Sequence, residues 1–260
     1  MSDNIVAEIK KEYIYDLAKR DERVDGRALD QYRNISIETG IISKAEGSAR
    51  VQIGDTQVLV GVKIQPGEPF SDTPDKGVII TNAELIPLAS PTFESGPPRE
   101  GAIELARVVD RGIRESGAID LAKLCIEEGV KVWMVFIDVH VLDHDGNLID
   151  AAALGAIAAL LNAKLPNERY DMGKDVQLLV EDVPVAVTVA EIGGKLLVDP
   201  CLEEGQITPT KLTIIFNKDD AVAGMQKSGT GMLTSEQVYQ AIEMASKKSK
   251  EIRKKFLKRS

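Results

Sequence analysis

The chain has 260 residues, of which 43% are hydrophobic and 28% charged. That length supports two modest domains or one large one, and the composition excludes a disordered chain, a collagen-like repeat and a coiled coil as global descriptions. Lys plus Arg number 32 against 41 Asp plus Glu, a formal charge of −9, which argues against nucleic-acid binding through bulk positive charge.

Ile5, Ile9, Tyr13 and Leu17 recur at helical spacing and predict an amphipathic helix over 4–20. Asp21 to Arg27 is charged and reads as a loop. From Asn34 the period changes to two: Ile35, Ile37 and Ile41 suggest a strand with a turn near Gly40. Residues 48–54 and 57–65 flank Gly54-Asp55-Thr56 and predict a hairpin. Pro66 to Gly77 reads as a long loop, and 78–88 as another strand. Pro97 and Pro98 precede a predicted helix over 101–116, with Ile103, Ala106, Val108, Val109 and Ile113 as its apolar face.

Residues 131–142 are apolar and rich in β-formers, and end in the turn Asp143-His144-Asp145-Gly146-Asn147. Residues 150–163 are apolar nearly all round, which predicts a helix buried on several sides. Further strands are predicted at 176–180, 183–191, 195–198, 211–216 and 221–226, with Gly193-Gly194 as a tight turn. Thr234 and Gln237 form a capping box. The helix it opens carries Val238, Ile242, Ala245, Ile252 and Phe256 on one face. The order is strands, helix, strand, helix, strands, helix, which is mixed α+β rather than a regular βαβ alternation.

Two cysteines, Cys125 and Cys201, cannot build a disulfide framework, and no secretory signal opens the chain. The longest apolar stretch, 151–161, is far short of the roughly 20 residues that span a bilayer. A soluble, cytoplasmic protein with no membrane association is expected. The last fifteen residues carry eight basic groups and one acid, a net of +7, which leaves −16 on the other 245. Such a tail can contact nucleic acid or acidic lipid. The plainer reading is a solvated helix end whose cations suit the helix dipole.

Candidate chemistry is sparse. His140 and His144 are four apart on a predicted strand, roughly 13 Å by strand geometry, too far for one metal. Asp143, Asp145 and Asn147 suggest a calcium loop, but Leu148 and Leu154 stand where that pattern needs Gly and Glu. A polar turn is favoured, with no metal. No nucleophile elbow, Walker loop or dinucleotide fingerprint is present. Gly229-Thr230-Gly231 can cradle an anion or simply form a loop. Asp199, Glu203 and Glu204 can act as an acid or metal site, but alone read as a charged turn. Arg107, Arg111 and Arg114 share one stripe of the predicted helix 101–116. That row can meet successive phosphates of a single strand. Alternatively Glu104, Glu115 and Asp110 neutralise Arg107, Arg111 and Arg114 respectively.

Several motifs, in order along nearly the whole chain, resemble the RNase PH family. They are Arg23-Val24-Asp25-Gly26-Arg27, Ala45-Glu46-Gly47-Ser48-Ala49, Gly54-Asp55-Thr56-Gln57-Val58, Ile103-Glu104-Leu105-Ala106-Arg107 and Leu196-Leu197-Val198-Asp199-Pro200. Gly77-Val78-Ile79-Ile80 with Asn82-Ala83-Glu84-Leu85, Ala89-Ser90-Pro91-Thr92-Phe93-Glu94 and Ala106-Arg107-Val108-Val109-Asp110-Arg111 look most like the family's non-catalytic subunit of the archaeal exosome. The resemblance implies an α+β RNase PH-like fold, with a ribosomal protein S5 domain 2-like βαβα core and a smaller second α/β half. The expected divisions are an N-terminal helix and loop (1–30), domain 1 (31–175), and domain 2 with the C-terminal helix (176–260).

Active relatives degrade RNA from its 3′ end with phosphate as the attacking group, and no further cofactor is implied. Their phosphate loop reads Gly-Gly-Thr-Arg or Gly-Ser-Arg before the Ala-rich helix. Here the positions are Gly146, Asn147, Leu148, Ile149 and Asp150. Leu148 replaces the hydroxyl and Ile149 the Arg, while Asp150 is expected to add negative charge where phosphate would sit, opposing a dianion. Active relatives carry an acid at the position of Asp199 and another Asp six residues later; here that is Gly205. Their arginine pair ahead of the first helix aligns with Glu100 and Gly101.

The resemblance therefore implies a kept fold and a lost phosphorolytic site. It also implies partners: a catalytic RNase PH-like subunit as heterodimer, three such pairs in a hexameric ring, RNA-binding cap proteins, and single-stranded RNA. Arg107 and Arg111 match positions that hold RNA phosphates beside the partner's active site, and Arg114 on the same stripe is expected to bind RNA with them. The rivals are a divergent active exoribonuclease using Asp199, and a scaffold that never touches RNA.

Overall fold

The computed structural model describes residues 2–257, with side chains from Lys10 onward. Helix α1 (Ser2–Lys19) opens it. A first sheet follows from β1 (Ile35–Thr39), β2 (Gly47–Ile53), β3 (Thr56–Gly67) and β4 (Val78–Leu85). Helix α2 (Glu100–Glu115), the short β5 (Cys125–Glu127) and the long β6 (Lys131–Asp143) come next. The strand order is β1-β2-β3-β6-β4, with β5 paired to β6. All pairings are antiparallel except β4 with β6.

Helix α3 (Leu148–Asn162) leads to a two-stranded ribbon, β7 (Lys164–Leu165) with β8 (Val176–Gln177). The second sheet has the order β10-β9-β11-β12 and is wholly antiparallel. Its strands are β9 (Val185–Ile192), β10 (Lys195–Val198), β11 (Thr210–Phe216) and β12 (Val222–Ser228). Helix α4 (Leu202–Ile207) precedes β11, and α5 (Ser235–Phe256) closes the described chain.

The Ala-rich α3 lies against β2 and β3 on one side and β9 on the other. Its lack of polarity follows from that placement, since no broad face is left for water. Small side chains permit the close approach. A Cβ on Gly155 would stand 2.8 Å from a Val60 methyl, inside contact distance. Helix α2 bridges β4 and β12, and α5 packs on β9 and β11. Thr234 and Gln237 cap α5 reciprocally, as their spacing predicts.

Several boundaries differ from the sequence reading. Tyr13 is 58% exposed and Ile14 is buried in its place, because α1 docks on α4 and β9 through Ile14, Leu17 and Ala18. Ile5 and Ile9 have side chains outside the described residues. Ile103 is 48% exposed and Ala106 half-buried; α2 buries Ala102, Leu105 and Gly112 beside Val108, Val109 and Ile113. The predicted strand 78–88 stops at Leu85, where pairing to β6 ends. Pro66 and Gly67 continue β3, opposite Trp133 and Val132. The predicted strand 176–180 keeps only two paired residues, and Leu178 turns into the core. Residues 202–207 form a helix where a charged turn is predicted.

Four of the eight basic groups of the tail, Lys247, Lys248, Lys250 and Arg253, form ion pairs within the chain. Lys247 meets Glu243, Lys248 meets Asp30 and Glu251, and Lys250 meets Asp220. Arg253 donates to the carbonyls of Val183, Phe216 and Asn217. Lys258 and Arg259 lie outside the described residues. No described helix is long and apolar enough to cross a membrane.

Candidate nucleic-acid interface and neighbouring cleft

A cavity of about 340 Å³ opens between α2, the 146–149 turn, α4 and the starts of β11 and α3. Its walls include Phe93, Leu105, Leu148 and Ile149, together with Gly205 and Lys211. Gly146 has φ +91°, and a Cβ there would lie 2.5 Å from the Cys201 carbonyl carbon, so glycine is required for this turn to pass under Pro200–Leu202. Asn147 is left-handed, at φ 53°, and caps α3. Leu148 and Ile149 give this wall two apolar side chains. Lys211 is the described cation lining the cavity; burial lowers its pKa, and Glu104 works against that shift. His144 stacks on Phe93 at 5.2 Å between ring centroids, and burial lowers its pKa.

Asp150 departs from its expected role. Its side chain is buried rather than set in the cavity. It accepts hydrogen bonds from Tyr32 Oη (2.6 Å), Asn147 Nδ2 (2.8 Å), Thr188 N (2.9 Å) and Thr188 Oγ1 (2.7 Å). Its carboxylate ties α3 to β9, so the expectation that it places negative charge in the cavity does not hold. Burial pushes its pKa up to about 6, against the donors that favour the carboxylate. A raised folded-state pKa stabilises most below the unfolded value of about 4 and loses that contribution as pH rises through about 6. Asp150→Asn should therefore flatten the stability profile between those pH values, read by urea unfolding; an unchanged slope would contradict the burial account.

Asp199 is fully buried at the end of β10, with φ 48°. Arg33 grips both its oxygens, Nε to Oδ2 at 2.9 Å and Nη2 to Oδ1 at 2.8 Å, and the Arg33 N–H adds a third bond to Oδ2 at 2.9 Å. Arg27 Nη1 and Asn147 Nδ2 complete the clamp at 2.9 and 2.8 Å. Burial alone would raise its pKa; the hydrogen bonds and charge of Arg33 outweigh that and hold it below the usual carboxylate range. Arg23 makes a buried bidentate pair with Glu204, at 2.9 and 2.5 Å, and donates to the Val198 and Asp199 carbonyls. The motif Arg23–Arg27 is thus the lock on the 199–204 segment. No spacing rule connects residues so distant in sequence, and neither Arg33 nor this clamp is legible before folding. Gly205 lines the cavity and supplies no acid.

The three arginines of α2 do not form one uniform stripe. Arg114 leans toward the first sheet, pairs with Asp110 at 2.6 Å and donates to the Ile79 carbonyl. The predicted Asp110–Arg114 neutralisation is therefore present. Arg111 leans toward the second sheet and donates to Gln226 Oε1 at 3.4 Å. Glu104 is engaged by Ser228 Oγ and Gln226 Nε2, at 2.9 and 3.2 Å. Arg107 is exposed, and no hydrogen bond or ion pair to it occurs among the described residues. The predicted Glu104–Arg107 and Glu115–Arg111 pairs are absent among the described residues. Gly231 N–H donates to the Pro209 carbonyl at 2.8 Å, so the 229–231 loop is folded onto Pro209 rather than open as an anion cradle.

Comparison with known proteins agrees with this architecture. The 3′ exoribonuclease family pattern matches as domain 1 over residues 31–166 and as domain 2 over residues 182–248. The exosome complex component Rrp42 of Methanocella arvoryzae is 66% identical over 256 residues, 98% of each chain. A chain in the Archaeoglobus fulgidus exosome with RNA bound to the active site superposes with a TM-score of 0.95 at 57% identity, covering 97% of this chain and 99% of that one. A chain of an archaeal exosome core superposes with a TM-score of 0.92 at 52% identity, covering 99% and 100%. With both domain patterns matched in order and the two sheets joined through α3, this chain belongs to the RNase PH 3′ exoribonuclease family.

Proposed function

We propose that this chain is a non-catalytic component of an archaeal exosome, the machinery for 3′-to-5′ RNA degradation and processing. Relatives at high identity over almost their whole length are named exosome complex component Rrp42. In this reading it pairs with a catalytic RNase PH-like subunit, and three such heterodimers form a hexameric ring that receives RNA-binding cap proteins in the cytoplasm. Arg107 and Arg111 hold phosphates of single-stranded RNA beside the partner's active site. Arg114, already paired with Asp110, is secondary. The chain divides into an N-terminal helix and loop (1–30), domain 1 (31–175) and domain 2 (176–260).

The observation that carries the loss of catalysis is the cleft at Gly146–Asp150. Apolar side chains stand where phosphate needs donors, and the one remaining family acid, Asp199, is buried in an arginine clamp. A carboxylate held ionised by five hydrogen bonds cannot give a proton to a leaving oxygen near neutral pH. The test is release of nucleoside diphosphate from an oligoadenylate by the purified chain in phosphate buffer. No release is expected. Release that is abolished by Asp199→Asn would establish an active exoribonuclease instead.

A further inference from the structure

Glu104 lies three residues before Arg107 on α2, a spacing at which opposite charges pair readily. It does not pair, because β12 captures it. Ser228 Oγ donates to Glu104 Oε1 at 2.9 Å and Gln226 Nε2 donates to the same oxygen at 3.2 Å. The other end of the Gln226 amide accepts from Arg111 Nη1 at 3.4 Å. The orientation of this amide follows from its neighbours. A carboxylate only accepts and a guanidinium only donates, so nitrogen must face Glu104 and oxygen must face Arg111.

The contrast with Arg114 shows what this arrangement achieves. Arg114 is held by a carboxylate, and its charge is compensated where it stands. Arg111 is held by a neutral oxygen, so it is oriented while its charge stays uncompensated. Its methylenes lie over Gly224, 3.7 Å from where a Cβ would be, so β12 seats the stem without crowding it. Arg107 is left without an ion pair among the described residues because Glu104, three residues before it, is held by β12, and Asp110, three residues after it, pairs with Arg114.

We propose that Gln226 is a positioning residue for RNA. With Ser228 it keeps Glu104 away from Arg107, and it anchors Arg111 without neutralising it, so that α2 presents two free cations to successive phosphates. This rests on the RNA-holding reading given above. Gln226 is half-buried on the edge strand β12, so its replacement leaves the core untouched.

The test uses the chain assembled with its catalytic partner subunit, with oligoadenylate as substrate. Gln226→Ala should raise KM for the RNA about fivefold, with kcat unchanged, as Glu104 swings to Arg107 and Arg111 loses its anchor. Adding Glu104→Gln should bring KM back to within about twofold of the parent, because the freed side chain then carries no charge. A purely structural role for Gln226 would leave the loss unrescued. An unchanged KM in Gln226→Ala, or a loss that Glu104→Gln does not reverse, overturns the inference while Arg107→Glu/Arg111→Glu still weakens RNA use. If that charge-reversed variant is itself silent, the RNA reading beneath the inference falls.

Discussion

Reversing both free cations of α2, Arg107→Glu with Arg111→Glu, should leave assembly with the catalytic partner intact and raise KM for RNA at least about thirtyfold at low ionic strength. One attraction between unit charges at contact near a wetted surface is worth about 1 kcal/mol or more. Reversal replaces each attraction with a repulsion, so two sites sum to about 2–4 kcal/mol, and 1.4 kcal/mol is a factor of ten. The cost to the fold is small, because the side chains buried by α2 are Ala102, Leu105, Val108, Val109, Gly112 and Ile113. Arg111 gives up one hydrogen bond at 3.4 Å and Arg107 gives up none among the described residues. Co-elution with the partner checks assembly, and phosphorolysis of an oligoadenylate checks RNA use. Unchanged activity at moderate salt would mean that the arginines are surface decoration on a scaffold.

The second large effect concerns the buried clamp. Arg33→Met removes two of the five hydrogen bonds to the Asp199 carboxylate and leaves it, fully buried, with Arg27, Asn147 and the backbone N–H of residue 33. Removing one partner of a buried pair costs about 3–5 kcal/mol, and because Arg27 still pairs with Asp199 the lower end of that range is expected. In a chain of this size that lowers the melting temperature by about 10 °C. The pH dependence has a definite sign. The carboxylate pKa is lowered in the fold, so its stabilisation is present above the unfolded value of about 4 and is lost as pH falls further. Arg33→Met should remove most of that acid-side loss, and adding Asp199→Asn should recover part of the melting temperature. A melting temperature within about 2 °C of the parent would show that Arg33 is not what holds Asp199.

Much of this was legible in the sequence, for reasons that depend on range. The hairpin around Gly54, the strand 195–198, the buried Ala-rich helix and the Thr234 cap are set by neighbours a few residues apart, and periodicity or turn chemistry reads them directly. Helix α1 shows the limit. The same residues support a face through Tyr13 or one through Ile14, and only docking on α4 and β9 decides between them. Leu148 and Ile149 were legible as apolar positions, because the Gly146 turn beside them sets their place on the cavity wall. Asp150 was misread for the opposite reason: its sequence neighbours are cleft residues, yet its partners Tyr32 and Thr188 come from 118 and 38 residues away. Gln226 and Ser228 carried no signal, since their meaning depends on β12 lying beside α2.

The salt dependence of RNA affinity tests the central claim most directly, that this chain contributes phosphate contacts to a reaction performed by its partner. Binding of oligoadenylate to the assembled complex is measured across a series of salt concentrations, for the parent and for Arg107→Gln/Arg111→Gln. Each phosphate contact to single-stranded nucleic acid contributes about 0.7 to the slope of log K against log salt. Losing two should make the slope shallower by about 1.4. Equal slopes for the two complexes would contradict the account, because RNA would then be held without the charges of Arg107 and Arg111.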